Sequence, residues 1–413
     1  MSKGKLMIAA VVLIAIGLVA PRVFDRAAPQ VVGETWSTVD PANPEGTRET
    51  RDEAPLYPLR GEPQLEVRVN EPGSATLEVS GVPQQLEVDE ARQTLRSTLD
   101  LGNLSDGQHI VTLTLLDDAW PANRTQVTRA ITKDTTPPTV QLGASSRETA
   151  QGETFAVFAR ADEPVESSSV ELNGVRIPSV VLDDAVTVRG LTGIGVKTDP
   201  GERPLVVEAR DAAGNVGRVE GAVRISKTDF PFGGMITLSP KKQVDMLDKS
   251  KSEESNAKRS AAYGTTVGLQ LPHALFLTPV KGRISSPFGK FRKYNTGVER
   301  HHLGTDMAAP SGTPVSAAGD GEVVLAELIH IYGNAVIINH ADGVSTSYNH
   351  LSAIDVKVGD TVKAGDTIGK VGSTGQSTGP HLHWGMVVDG EAVAAEQWTK
   401  RRFDQPPGGD FGE

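Results

Sequence analysis

Thr378-Gly-Pro-His-Leu-His-Trp-Gly-Met-Val-Val388 leaves a Gly- and Ser-rich turn and enters a short strand pattern. Side chains on a strand repeat every two residues, so His381-x-His383 presents both imidazoles on one face. Similar strand patterns bounded by turns precede it, at Gly321 to Ala326, Asn334 to Asn339, Gly343 to Tyr348 and Thr367 to Gly372. The chain from Phe276 onward is therefore expected to form a compact, turn-dense antiparallel β domain with little helix. Two further polar clusters fall at its strand ends, His302-Leu-Gly-Thr-Asp306 and Tyr348-Asn-His350-Leu351. Imidazole and carboxylate are the ligands that zinc takes in enzymes, which makes this first of all the pattern of a metal site.

Each cluster alone has an ordinary explanation. His302 and Asp306 are four apart, a spacing that shares a face in a helix or a strand and that often marks a surface ion pair. His381-x-His383 is a better ligand signal but also suits a structural pair. Their coincidence with His350 in one domain is what carries weight, since seven of the nine histidines lie between 301 and 383. His301 points away from its neighbour if the segment is extended, and His330 and His340 sit near turns. These three read as structural or exposed.

Composition narrows the setting. At 413 residues the chain is long enough for several domains. A formal charge of -11 offers no phosphate-neutralising surface and argues against a nucleic-acid partner. Cysteine is absent, which excludes disulfides, thiolate metal sites and a lipidated N-terminal cysteine. Any metal must be held by His, Asp or Glu.

Residues 1–22 carry Lys3 and Lys5 ahead of an uncharged apolar stretch, Leu6 to Ala20, that ends at Pro21-Arg22. This reads as a signal anchor or a cleaved export signal, and in both cases the bulk of the chain is extracytoplasmic. Residues 23–61 are rich in proline and charge with little periodicity and read as a linker. Period-two alternation then sets in at Leu65, Val67 and Val69, at Ala75, Leu77 and Val79, and at Val111, Leu113 and Leu115. It resumes beyond Thr135-Thr-Pro-Pro138 at Phe155, Val157 and Ala159 and at Leu205, Val207 and Ala209. Residues 62–134 and 135–228 are accordingly expected to be two β-sandwich modules, the alternative being one larger β domain. Asp134-Thr-Thr-Pro-Pro138 and Asp211-Ala-Ala-Gly-Asn215 resemble the entry and late hairpin of bacterial immunoglobulin-like domains. Residues 229–275 read as a connector, with Lys241 to Ser260 either a solvated helix or a loop. The remaining boundaries place the catalytic candidate at 276–400 and a C-terminal tail at 401–413. The fold class expected is all-β.

From Pro279 to Trp398 the sequence resembles the lysostaphin-type, LytM-like zinc peptidoglycan endopeptidases. Ser286-Pro-Phe-Gly289 with Arg292 is similar to the family's opening, and His302-Leu-Gly-Thr-Asp306-Met-Ala-Ala-Pro310 to its His-x3-Asp box. Gly312-Thr-Pro-Val315, Asp320-Gly-Glu-Val323, Tyr332-Gly-Asn334, Val356-Lys-Val-Gly-Asp360 and Gly372-Ser-Thr-Gly375 match its scaffold turns. Thr378-Gly-Pro-His-Leu-His-Trp384 matches its His-x-His box. Two positions depart from the pattern, Asn349 for a more usual alanine and Ala394-Ala-Glu396 where a proline is common.

The resemblance implies a zinc ion on His302, Asp306 and His383, with a fourth position left for water. It leaves His350 and His381 to flank that water as catalytic groups, without saying which is the base. It also implies hydrolysis of amide bonds in peptidoglycan; with the N-terminal segment read as a signal anchor, the enzyme is expected to be anchored in the inner (cytoplasmic) membrane and to face the periplasm. The sandwich modules would then hold the enzyme away from the membrane. Some relatives have lost their ligands and act as silent regulators of other wall hydrolases, but here the polar set is complete. Protein partners and the bond cleaved are not legible, nor is any covering of the groove by residues 236–275.

Overall fold

The computed structural model describes residues 28–39, 47–51, 59, 61–70, 74–89, 91, 93–118, 122–237 and 249–412. The expected membrane segment at 1–22 lies outside the described residues, as do parts of 23–61 and 229–275. Among the described residues no helix is long and apolar enough to cross a membrane. The chain divides into two compact units. The first is built on residues up to Pro138 with Pro164–Ser167 and Arg210–Gly217, the second on Thr139–Glu163, Ser168–Ala209 and the chain from Arg218.

In the first unit two sheets face each other. One runs in the order Thr47–Arg51, Val31–Val39, Gln64–Val69, Thr94–Thr98, Glu87–Asp89, and the other Val82–Gln84, Ser74–Val79, Gly107–Leu116, Arg124–Lys133. Alternation puts Leu65, Val67, Leu77, Val79, Val111 and Leu113 into one core and leaves the intervening residues toward solvent. The linker expected at 23–61 is corrected here. Val31–Val39 pairs antiparallel with both Thr47–Arg51 and Gln64–Val69, and Trp36 is 1% exposed in the core. The many prolines flanking it hid a β-branched run, Val31-Val-Gly-Glu-Thr-Trp36, that is strand-forming in itself.

The second unit joins a smaller pair of sheets to the catalytic candidate. The sheet Val140–Leu142, Thr154–Ala161, Thr187–Gly193, Ser179–Val181 has two central strands buried on both faces. Ala156, Phe158 and Leu191 belong to the same core as Trp398 and Phe403. Polar contacts follow the apolar ones: Trp398 Nε1 donates to Thr154 Oγ1 at 2.9 Å, Thr192 Oγ1 to Asp389 Oδ2 at 2.9 Å, and buried Arg189 pairs with Asp342. Residues 135–228 and 276–400 therefore share apolar packing through Ala156, Phe158 and Leu191, while Val157, Val188, Leu205 and Val207 of the smaller pair are buried outside that shared core. The expected C-terminal tail is packed over its described part, residues 401–412, because Phe403 is buried and the Asp410 carboxylate accepts from the Ser145 amide at 2.6 Å.

The catalytic candidate is built on one large antiparallel sheet. Its path is Arg283–Ser286, Thr305–Ala308, His381–Val388, Val344–Leu351, Gly333–Asn339, Gly321–Ile329, Thr361–Val362, with Glu391–Val393 added beside His381–Val388. One face buries Leu382, Trp384, Met386, Tyr348, Val336 and Ile338 in the core. The opposite face carries the alternate residues. Part of it, Leu325, Ile329, Ala335 and Ile337, is covered by Ala262 of the helix Lys249–Tyr263, and the rest holds the polar site. The expected connector thus contributes a packed helix, and also the strand Phe232–Ile236, which pairs parallel with Phe291–Tyr294.

Candidate metal centre

Register brings the donors together. Asp306 on Thr305–Ala308 is the direct cross-strand partner of His383, and His383 is in turn the partner of Asn349 on Val344–Leu351. Cross-strand partners share a face, so the first carboxylate and the last imidazole must meet. His302 lies just ahead of the aspartate strand, where its backbone is tied to the preceding loop by Gly289 N–H to His302 O at 2.7 Å and His302 N–H to Lys290 O at 3.0 Å. His302 Nε2 lies 3.0 Å from His383 Nδ1 and 3.0 Å from Asp306 Oδ1, and His383 Nδ1 lies 2.9 Å from the same oxygen. Three donor atoms converging at one point is the donor set of a transition-metal site. Gly304 makes the approach feasible, because a Cβ there would sit 2.5 Å from His383 Nε2.

Main-chain carbonyls fix how three of the four rings are protonated. A carbonyl oxygen only accepts, so His302 Nδ1, 3.0 Å from Pro287 O, carries the hydrogen and turns its Nε2 lone pair to the centre. The same argument applies to the two remaining histidines. His350 Nδ1 donates to Thr374 O at 2.8 Å and His381 Nδ1 to Gly379 O at 2.8 Å, which leaves both Nε2 atoms as acceptors. The His350 and His381 rings are 4.9 Å apart between centroids, and His381 Nε2 is 3.6 Å from Asp306 Oδ1. His350 occupies the left-handed region at φ 62°, held by its amide bond to Tyr332 O at 2.8 Å. A non-glycine residue adopts that conformation only where neighbours enforce it.

Charge follows from burial and these bonds. Burial alone would raise the Asp306 carboxyl, but hydrogen bonds and charge from His302 and His383 outweigh it and hold the group well below the usual carboxylate range. Burial pushes His383 down, and pushes His350 down to about 4 with help from nearby His383, so His350 is neutral at neutral pH.

All five residues singled out in the sequence, His302, Asp306, His350, His381 and His383, meet here. The others do not. His301 packs between Phe230 and Phe291 with Nδ1 on Gly289 O, His330 is exposed, and His340 is buried between Asp320 O and Thr346. Sequence reasoning missed the carbonyls of Pro287, Thr374 and Gly379, which any residue type could supply, and it missed Arg259, which bonds Asn349.

Residues 300–395 match Peptidase family M23 and form an M23 peptidase domain. Over 111 residues the chain is 50% identical to the DD-carboxypeptidase/endopeptidase Mpg of Neisseria meningitidis serogroup B, which covers 27% of this chain and 26% of that protein. It is 39% identical over 155 residues to the peptidoglycan DD-endopeptidase ShyA of Vibrio cholerae serotype O1, covering 37% of this chain and 36% of the relative. The chain thus spans about a quarter to a third of the length of these curated relatives. Among solved structures, the catalytic domain of the antimicrobial peptidase lysostaphin from Staphylococcus simulans is 36% identical, covers 29% of this chain and 93% of that chain, and has a TM-score of 0.27.

Proposed function

We propose that this chain is a zinc-dependent endopeptidase that hydrolyses amide bonds in the peptide cross-links or stem peptides of bacterial peptidoglycan. The observation that carries this reading is the convergence of His302 Nε2, Asp306 Oδ1 and His383 Nδ1 beside two histidines that present free Nε2 atoms. Two nitrogens and one carboxylate oxygen suit zinc, and three protein ligands leave a position open for chemistry. Zinc bound there supplies a Lewis acid and lowers the pKa of its water toward about 7.

The chain's own groups do the rest. Asp306, kept ionised by its two imidazole partners, balances the metal charge. His302 is held in the ligating tautomer by Pro287 O. His350 and His381, both protonated on Nδ1, are placed to accept a proton at Nε2 and return it to the leaving amine. The names of the relatives, peptidoglycan DD-endopeptidases among them, support an internal peptide bond of peptidoglycan as the target. The apolar stretch Leu6 to Ala20 behind Lys3 and Lys5 supports an inner-membrane anchor with the enzyme in the periplasm. The two sandwich modules, immunoglobulin-like in this reading, present it to the wall.

The test uses the full chain with purified sacculi, with and without chelator, and mass spectrometry of the released fragments. New amine termini that disappear on chelation are expected, and their absence in both arms rejects the proposal. His383→Ala should lose both metal and activity, whereas His381→Ala should retain metal and lose activity. The residue set argues against a silent regulator, which would be expected to lack part of it.

A further inference from the structure

The helix Lys249–Tyr263 lies outside residues 300–395 yet reaches the site. Ala262 packs against Leu325, Ile329, Ala335 and Ile337 on the same sheet face that carries Asp306 and His383. One turn earlier, half-buried Arg259 extends along that face. Its Nη1 donates to Asn349 Oδ1 at 3.1 Å, its guanidinium carbon stands 3.9 Å from the centroid of the Tyr332 ring, and its Nη2 bonds the Tyr263 hydroxyl.

Each partner leads on to one of the site histidines. Asn349 Nδ2 donates to the main-chain oxygen of His383 at 3.2 Å. Tyr332 O accepts from the amide of His350 at 2.8 Å, the bond that holds His350 at φ 62°. The two routes start from one guanidinium and end on the backbones of two strands that must keep their register for the site to exist. A guanidinium can do this because it is planar: it donates in its plane and stacks through its face at the same time, which an ammonium cannot.

We propose that Arg259 is a positioning residue for the peptidase site, a clamp on Asn349 and Tyr332 that fixes the backbones of His383 and His350. The proposal rests on the reading of the site as a metal-dependent peptidase. Its role is distinct from simple helix packing, because neighbouring Lys258 points elsewhere, to Glu327 Oε2 at 2.9 Å, and serves as the control on the same turn.

The experiment compares the full chain with its Arg259→Ala, Arg259→Lys and Lys258→Ala variants. Metal content, thermal unfolding, kcat and KM on a soluble cross-linked muropeptide are measured. Hydrogen exchange of peptides covering 344–351 and 381–388 is measured on the metal-free proteins. For Arg259→Ala, kcat is expected to fall about 10- to 100-fold with KM and metal content unchanged, the scale of loss that follows a small misplacement of reacting groups. Exchange should quicken in both peptides. Arg259→Lys should behave like the alanine variant and Lys258→Ala like the parent. A parental kcat in both Arg259 variants overturns the proposal. So does a rise in KM alone, which would make the guanidinium a contact for a substrate carboxylate, or an equal loss in Lys258→Ala, which would make helix packing the cause. If Arg259→Ala does not fold, Arg259→Lys decides by the same readouts. If the parent shows no metal-dependent cleavage the peptidase reading fails, while the exchange data still show whether the clamp exists: unchanged exchange in both variants rejects it.

Discussion

The two pairs of small sheets begin from the same sequence habit and end differently. In the first, strands such as Gln64–Val69 and Gly107–Leu116 bury one face and leave the other toward solvent, and Trp36, Leu65, Leu77 and Leu113 close a core of their own. In the second, Thr154–Ala161 and Thr187–Gly193 are buried on both faces, and Phe158 and Leu191 share a core with Trp398 and Phe403 of the peptidase domain. Alternation in sequence says that a strand has two faces. It does not say what will cover the second one. The consequence is that the first core is closed by its own residues, whereas the second pair lends Ala156, Phe158 and Leu191 to the core of the peptidase domain.

Deletion is the bluntest way to break this contrast. Removing residues up to 134 should leave metal-dependent cleavage of soluble muropeptides intact, while a deletion continued through 228 uncovers Trp398 and Phe403 and should leave no folded peptidase. Circular dichroism and the same assay read both; equal activity in the two truncations would sink the idea of a shared core. Point changes sharpen it. Phe158→Ala should cost about 3–5 kcal/mol in the unfolding transition of the peptidase domain. Leu113→Ala should cost about 2–5 kcal/mol in the first core, with cleavage unchanged. Separate denaturation transitions, followed by activity and by near-ultraviolet signal, would show whether the two losses stay apart.

Acid should act on the second unit through His340. Burial holds this imidazole down to about 4, so it is neutral in the folded chain, while the unfolded chain takes up a proton near pH 6.5. Stability linked to it is complete above that pH and declines as pH falls toward about 4, by up to about 3 kcal/mol. Urea unfolding of the metal-free protein at pH 7.5, 5.5 and 4.5 measures the slope, to which His350 contributes in the same window, and His340→Gln should reduce it by the His340 share while leaving the rest. The smallest contrast concerns ion pairs. Asp342→Ala removes the carboxylate partner of buried Arg189, leaving its bond to Asp404 O, and should cost about 2 kcal/mol, below the range for a fully buried pair because Asp342 is partly exposed. Arg96→Ala removes an exposed pair with Glu66 in the first unit and should leave its melting temperature unmoved.

Much of the candidate site was legible because its chemistry resides in side chains. His302, Asp306, His350, His381 and His383 are the residue types a metal peptidase needs, and strand periodicity puts two of them on one face. The linker reading failed at Val31–Val39 because proline density outweighed one strand-forming run whose Trp36 needed a core to explain it. The reading of Lys241 to Ser260 as a solvated helix or a loop allowed for the helix Lys249–Tyr263 but missed its packing, because a polar helix buries only Ser255 and Ala262 with Arg259 half-buried beside them, a short stripe that charge content conceals.

By itself the sequence determined the strand periodicity, the donor types and their order along the chain, since these follow from residue identity and a two-residue repeat. Only the tertiary structure decided which nitrogen of His302, His350 and His381 is free, that His350 is held at a positive φ, that Arg259 stands behind the site, and that Ala156, Phe158 and Leu191 pack into the peptidase core. Those features depend on main-chain carbonyls, on cross-strand register and on what covers a face. They arise from contacts between residues far apart in the chain, which no local pattern records.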